Sequence, residues 1–141
     1  MTSRVVWCDR AWIPHHYGFC PDEKAWKHEM KRLEVKDVPY PALTTDACCT
    51  HFEKSKNKSG DSAGNSCSIV SISHEKRDPL AIVTLLVHEA MHVWRQMLSE
   101  MGEEEPSSEF EAYAMQNIVF RLLAAYEATR GSILRASEKP L

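Results

Sequence analysis

The segment between Asp78 and Gly102 constrains the fold of this chain more strongly than any other part of the sequence. Asp78 is a favourable N-cap residue, and Pro79 after it suits the first position of a helix. An apolar run then continues through Leu86 and past His92 as far as Gly102, a residue type that commonly ends helices. The pattern predicts one long and largely apolar helix.

Two histidines in this helix are spaced so that they can hold one metal ion. His88 and His92 are four residues apart, so on a helix they project from the same face, one turn from each other. Both imidazoles can then reach an ion about 2 Å from each nitrogen, which is the usual zinc distance. Glu89 is rotated by about 100° from His88, beside the ion, where it can take a proton from a water molecule. The motif therefore separates metal ligands from a candidate general base.

The alternative is that His88, Glu89 and His92 are polar residues on the solvent-facing side of a helix. A short motif of this kind also arises by chance. The surrounding helix is apolar, however, and imidazoles or carboxylates buried in such a helix need a partner. We therefore interpret the three residues as a metal site.

A catalytic zinc ion has three protein ligands and one open position, so a third ligand is expected downstream. Glu109 and Glu111 are the candidates, and because they are two residues apart on a predicted helix they point to different faces. Ser108 and Glu111 match a capping box, which gives Glu111 a structural role. Glu109 is then the predicted ligand, carried to the ion by a helix antiparallel to the first, and Glu111 is the alternative.

This arrangement resembles the gluzincin metallopeptidases, in which an HExxH motif is followed by a glutamate ligand on a second helix. In several of these families the second helix reads Glu-Phe-x-Ala-Asp, and residues 109–113 (EFEAY) are similar, with Glu109 in the ligand position. Tyr113 departs from the pattern, because those families place there an aspartate that orients a zinc-binding histidine. Residues 66–128 also resemble small metallopeptidase-like proteins encoded by phages and prophages.

The resemblance implies a zincin-like domain that hydrolyses peptide bonds with one zinc ion per chain, held by His88, His92 and Glu109. The zinc would polarise the substrate carbonyl and activate a water, while Glu89 would act as the general base. The alternative is a non-catalytic protein that keeps the zincin fold and its metal and docks on a host or viral partner. Glu89 favours the enzyme, because metal binding alone needs no carboxylate at this position.

The whole pattern predicts an α+β fold in a single domain over residues 1–141, with helices packed on a small sheet. Besides the metal-binding helix, helices are expected at residues 22–35 and 106–129, the second ending before Gly131. Three large aromatic residues occupy helix positions typical of a core: Trp26, Trp94 and Phe120.

Two segments are predicted to be strands. Residues 42–52 are short and mixed, whereas residues 66–73 alternate and contain β-branched side chains. Between them, residues 54–65 are rich in Ser, Lys, Asn and Gly, and this composition predicts an exposed, flexible loop. Residues 132–141 are a candidate loose tail.

Charge and composition exclude several classes of function. The 17 Lys and Arg residues nearly balance the 20 Asp and Glu residues, so no overall basic field favours nucleic acid. The longest strongly apolar stretch, residues 79–87, is far shorter than the roughly 20 residues that cross a bilayer. With no export signal in the N-terminal residues, we expect a cytoplasmic protein, located in the host cytoplasm if phage-encoded, with five reduced cysteines. The expected partner is a peptide or protein substrate, and neither nucleic acid nor a membrane.

Other residues are weaker candidates for chemistry. A second, closed zinc site could be formed by two thiolates and two imidazoles, although their spacing fits no standard finger: Cys8, His15, His16 and Cys20. A hydrogen bond to a developing oxyanion could come from any of four residues, among which the sequence does not choose: His15, His16, Tyr17 and His51.

Overall fold

The computed structural model describes residues 3–53, 55–56, 62–63 and 66–133. In this part of the chain the fold is α+β, as predicted, with a mixed four-stranded sheet and three helices. The strands are β1 (Val6–Trp7), β2 (His16–Cys20), β3 (Ala47–Phe52), β4 (Ser55–Lys56), β5 (Ser62–Ala63) and β6 (Cys67–Ile72). The helices are α1 (Glu23–Arg32), α2 (Pro79–Met101) and α3 (Ser108–Arg130), and a 3-10 turn spans Pro41–Leu43.

The predicted loop at residues 54–65 lies largely outside the described residues. Its two described pieces, β4 and β5, pair antiparallel with each other. The predicted tail at residues 132–141 also lies outside them, apart from residues 132–133.

The four-stranded sheet has the strand order β1-β2-β6-β3. β2 and β6 run parallel, whereas β3 and β6 run antiparallel and place His51 opposite Ser68. β6 is thus a central strand, and all six of its residues are buried. The strand predicted at residues 66–73 corresponds to β6, and the later part of the segment 42–52 forms β3, an edge of the sheet.

The sequence pattern does not predict β1 or β2. β1 has only two residues, and β2 contains Gly18, which weakens a strand pattern. In the structure Gly18 pairs with Trp7, and a Cβ atom at position 18 would lie 2.9 Å from the carbonyl oxygen of Val6. Glycine therefore allows β1 to approach β2 closely.

Apolar side chains cover both faces of the sheet. On one face, Val70 belongs to a core shared with α2 and α3, and on the other face Ile69 packs with α1. Trp26 and Trp94 are buried in these cores, as predicted. The predicted core position of Phe120 was wrong, because its side chain is 62% exposed on α3.

α1 confirms the predicted first helix with a shorter C-terminal end. The carboxylate of Asp22 accepts a hydrogen bond from the backbone amide of Ala25 at 2.8 Å and caps the helix. Trp26 and Met30, one turn apart, are buried against the sheet. The helix stops at Arg32 rather than at residue 35, because Glu34 adopts a left-handed backbone conformation with φ of 58°.

α2 begins and ends where the sequence predicts. The carboxylate of Asp78 accepts a hydrogen bond from the amide of Leu80 at 2.8 Å, Pro79 occupies the first helical position, and Gly102 ends the helix with φ of 70°. Its buried residues form one face: Leu86, Glu89, Ala90, Val93, Trp94, Met97 and Leu98. Among the residues that the structure describes, neither α2 nor any other helix is long and apolar enough to cross a membrane.

α3 lies close to its predicted range, but its cap differs from the prediction. The N-cap residue is Ser107, whose hydroxyl accepts a hydrogen bond from the backbone amide of Phe110 at 3.3 Å. Ser108 is therefore the first helical residue, and the third helical position belongs to Phe110 rather than to Glu111. The predicted capping box between Ser108 and Glu111 was wrong, so the side chain of Glu111 is not used to cap the helix.

Replacing Ser107 with alanine removes the observed cap, and we expect the free energy of unfolding to fall by about 1 kcal/mol. Ser108→Ala is the matched control, because it removes a hydroxyl from the next position and should change that free energy by less than about 0.5 kcal/mol. Urea denaturation of both variants measures the difference. A larger loss in Ser108→Ala would restore the capping box.

Candidate metal centre

His88 and His92 lie side by side on the exposed side of α2. Their Nε2 atoms are 3.2 Å apart, and their ring centroids are 5.0 Å apart. Two nitrogens that each bind one tetrahedral zinc ion at about 2.0–2.1 Å lie about 3.3 Å from each other. The two imidazoles therefore have the separation that two ligands of a single ion need.

Glu89 follows His88 in α2 but is turned toward the protein interior. Its side chain belongs to the buried face of the helix, with only 4% of the residue exposed. Burial raises the pKa of its carboxyl group, while the nearby His92 and His88 act in the opposite direction. An ionised carboxylate in this setting binds a proton more tightly than a carboxylate in water does.

A cleft of about 370 Å³ opens beside His88, where α2 meets the start of β3. It is lined by Asp46, Ala47, Thr84, Leu85, His88 and Glu89. The carboxylate of Asp46 accepts a hydrogen bond from Arg77 at 2.9 Å, which holds it at the rim. The cleft gives a ligand access to His88 and Glu89 from the side of the sheet edge.

Cys49 on β3 borders the same region. Burial raises the pKa of its thiol, and the neighbouring Glu89 raises it further. Among the described residues, Cys49 does not join the two histidines in a group that could hold a metal ion.

The two glutamates predicted for the third ligand position lie on different sides of α3. One carboxylate oxygen of Glu111 accepts a hydrogen bond from Nε1 of Trp94 at 2.8 Å and lies 3.9 Å from a guanidinium nitrogen of Arg95. Glu109 is exposed. Because it lies two residues from Glu111 on the helix, it projects from roughly the opposite face of α3. α3 therefore directs Glu111, rather than Glu109, toward α2.

The structure brings together His88, Glu89 and His92, but it does not add a third ligand to the pair of histidines. Within residues 3–53 and 66–133, no group of three or more His, Cys, Asp or Glu side chains is arranged to hold a metal ion. Glu109 thus stands apart from the two histidines in this conformation.

The structure does not bring together the residues of the second zinc site, the weaker candidate considered from the sequence. Cys8 packs against the core shared with α2, whereas Cys20 belongs to the core on the α1 side of the sheet. The two thiols therefore lie on opposite faces of the sheet and cannot share one ion. Burial raises the pKa of both thiols to about 12, so neither forms a thiolate readily.

The structure separates the four candidates for an oxyanion donor. His15 and Tyr17 are buried, and His16 lines a cavity beside α1 on the other side of the sheet. His51 is exposed on the edge strand β3. Burial lowers its pKa, and the neighbouring His15 and His92 lower it further. His51 is thus the candidate on the edge strand that packs against α2.

Three residues that touch this region carry no recognisable signal in the sequence: Trp94, Ser68 and Glu100. In the sequence Trp94 looks like an ordinary core residue, but in the structure its indole donates a hydrogen bond to Glu111. Ser68 and Glu100 acquire partners only through the packing of β6 and α2. A pattern in one segment does not reveal such pairs.

Comparisons with models of protein families, with curated proteins and with solved structures found no match to this chain.

Proposed function

We propose that this chain is a zinc-dependent peptidase that binds one zinc ion through His88 and His92 and uses Glu89 as general base. The observation that carries the proposal is the 3.2 Å separation of the two Nε2 atoms next to a buried carboxylate. A pair of imidazoles fits two positions of a tetrahedral zinc site. The arrangement of α2, α3 and the sheet is compatible with a zincin-like domain.

A glutamate at the start of α3 is proposed as the third ligand. The sequence motif favours Glu109, whereas the contacts of α3 favour Glu111. The carboxylate of Glu111 already lies against α2, 3.9 Å from a guanidinium nitrogen of Arg95, which is three residues beyond His92 and shares its side of the helix. Glu109 is exposed and makes no hydrogen bond or ion pair with α2 among the described residues. We therefore place Glu111 ahead of Glu109.

Glu89 supplies the acid–base chemistry in this proposal. When bound, zinc polarises a substrate carbonyl and lowers the pKa of a coordinated water. Glu89 accepts the proton that the attacking water loses, and later donates it to the leaving amine. Its place on the buried face of α2 holds the carboxylate beside the histidines, and its raised pKa suits both proton transfers.

The edge strand supports a peptide as the substrate. β3 ends the strand order of the sheet and packs against α2. An extended peptide can add to an exposed sheet edge through main-chain hydrogen bonds. A peptide bound along β3 would pass the cleft beside His88 and Glu89, which brings a carbonyl group to the proposed zinc position.

The first test concerns the metal. We expect about one zinc ion per chain, and the loss of zinc in both His88→Ala and His92→Ala, because each variant removes one of the two converging imidazoles. His28→Ala is the matched control, since His28 is exposed on α1. Elemental analysis after dialysis measures the stoichiometry. Equal zinc content in wild type and in both variants would show that these histidines are not ligands.

The second test compares the two glutamates. Glu111→Ala should weaken zinc binding by at least about tenfold, because one ligand of three is lost, while Glu109→Ala should bind as wild type does. Competition with a chelating dye measures both affinities. The opposite result would assign the third ligand to Glu109, as the sequence motif predicts.

The third test concerns catalysis. Glu89→Gln keeps the shape of the side chain but cannot accept a proton, so it should retain zinc and lose at least about 10²-fold in peptide cleavage. A peptide library assayed with matched zinc loading measures the change. Cleavage by Glu89→Gln at the wild-type rate would remove Glu89 from the mechanism. A zinc-loaded wild type that cleaves no peptide would instead favour a non-catalytic docking protein.

A further inference from the structure

A cavity of about 580 Å³, here called the α1 cavity, lies beside α1. Val5, Trp7 and Leu33 line it, and all three pack in the core on the α1 side of the sheet. His88 and His92 lie on α2, which packs against the other face of the sheet. The α1 cavity is therefore separate from the candidate metal centre, and its volume is within the range of pockets that bind small molecules.

The α1 cavity carries an excess of positive charge. Of the described residues that line it, Arg4 and Arg32 bring two guanidinium groups, and Glu29 brings one carboxylate. The chain as a whole has a formal net charge of −3. A positively charged cavity in an acidic protein attracts ligands of negative charge.

The guanidinium group of Arg32 is held by two neighbours. Its Nε donates a hydrogen bond to a carboxylate oxygen of Glu29 at 2.7 Å, and its Nη2 donates to the same oxygen. Its Cζ lies 5.8 Å from the centre of the Trp7 ring. A guanidinium group has five N–H donors, and the contact with Glu29 uses two of them. Three donors remain without a partner among the described residues, on a side chain that is 56% exposed.

The position of Trp7 in this arrangement depends on Gly18. The two residues pair between β1 and β2. A Cβ atom at position 18 would lie 3.0 Å from Cε3 of Trp7, so a larger residue there would displace the ring. Gly18 therefore gives Trp7 the space in which its ring packs and contacts Arg32.

A purely structural role explains the contact between Arg32 and Glu29 but not the charge of the cavity. Glu29 is 3% exposed, and a buried carboxylate needs a partner such as Arg32. Arg4 has no such role. Its guanidinium group is exposed, donates a hydrogen bond to the backbone carbonyl of Ser3 at 2.9 Å and forms no ion pair among the described residues. The positive charge of Arg4 is thus left without a counter-charge in the cavity.

His16 on β2 adds a hydrogen-bonding group to the lining of the α1 cavity without adding charge. Burial lowers its pKa, and the nearby Arg10 and His15 lower it further. The ring is therefore uncharged at neutral pH and has one N–H donor. An anion in the cavity meets two guanidinium groups and a neutral imidazole.

We propose that the α1 cavity binds a small molecule through an oxyanion group, either a phosphate or a carboxylate, held by the guanidinium groups of Arg4 and Arg32. Planar guanidinium groups form paired, charge-assisted hydrogen bonds with the oxygens of both anions. Because Glu29 and Trp7 orient Arg32 before a ligand arrives, binding restricts few additional torsions of this side chain. The site is independent of the proposed peptide hydrolysis.

The first experiment follows the Nε–H signal of Arg32 in ¹H–¹⁵N spectra of the full chain. Inorganic phosphate and, separately, succinate are added at constant ionic strength. At least one of the two anions should shift this signal saturably at millimolar concentration or below. Tighter binding of phosphate assigns a phosphate-bearing ligand, and tighter binding of succinate assigns a carboxylate-bearing one. The proposal is overturned if neither anion gives a saturable shift, or if the signals of His88 and His92 respond in place of that of Arg32.

The second experiment compares variants, with the titration followed at the indole N–H signal of Trp7. Arg4→Gln should weaken binding of the preferred anion by at least about tenfold, because a charge-assisted contact is lost. Arg32→Lys should also weaken it by at least about tenfold, because lysine keeps the charge beside Glu29 but lacks the planar fork. Lys76→Gln is the control, since Lys76 is exposed outside the cavity, and it should bind as wild type does.

The exposed position of Arg4 keeps this comparison decisive even if Arg32→Lys does not fold. Wild-type affinity in Arg4→Gln, or in a folded Arg32→Lys, would overturn the proposal. An equal loss of affinity in Lys76→Gln would overturn it as well, because the anion would then respond to the net charge of the protein rather than to the α1 cavity.

Discussion

The structure depends first on the burial of one face of α2. This helix packs at once against the sheet and against α3, and Leu86, Val93 and Met97 are fully buried in the shared core. Burial of each such side chain contributes about 1.5–3 kcal/mol. Because the apolar face must point inward, the rotation of the helix about its axis is fixed, and His88 and His92 are left on the exposed side.

Two polar contacts also help to fix the orientation of α2. The indole of Trp94 donates to Glu111 and ties α2 to the first turn of α3. About 9 Å further along the helix axis, at about 1.5 Å per residue, Glu100 accepts from His15 and ties α2 to the segment before β2. A buried polar group that loses its partner costs about 1–3 kcal/mol, so both contacts resist rotation or sliding of α2. The two histidines and Glu89 therefore sit on a helix anchored on two sides.

Local signals explain what could be predicted from the sequence. The ends of α2 are set by residues that act on the backbone within one turn: Asp78, Pro79 and Gly102. Their effect does not depend on the elements that pack against α2, so the sequence alone locates this helix. Ser107 and Ser108 can both cap a helix, and in the structure Ser107 is the residue that does so. Phe120 lies two residues from each of the buried residues Ile118 and Leu122, so it is on the opposite face of α3. The aromatic character of a residue alone does not reveal which face of a helix it occupies.

Long-range contacts explain what could not be predicted. His15 and Glu100 are separated by 85 residues, and His51 and Ser68 meet because β3 and β6 pair in one register. A shift of that register by one residue would turn His51 to the other face of the sheet. The ligand motif on α2 is therefore visible in the sequence, whereas the side chains that surround it depend on the assembled fold.

The burial of Glu89 has a cost for folding. Its folded-state pKa is raised by burial, so the folded protein holds this proton more tightly than the unfolded chain does, and stability falls as pH rises from the unfolded toward the folded pKa. At neutral pH an ionised Glu89 thus works against folding. Such a cost to folding is typical of groups placed for function, and it supports the proposed role of Glu89 in proton transfer.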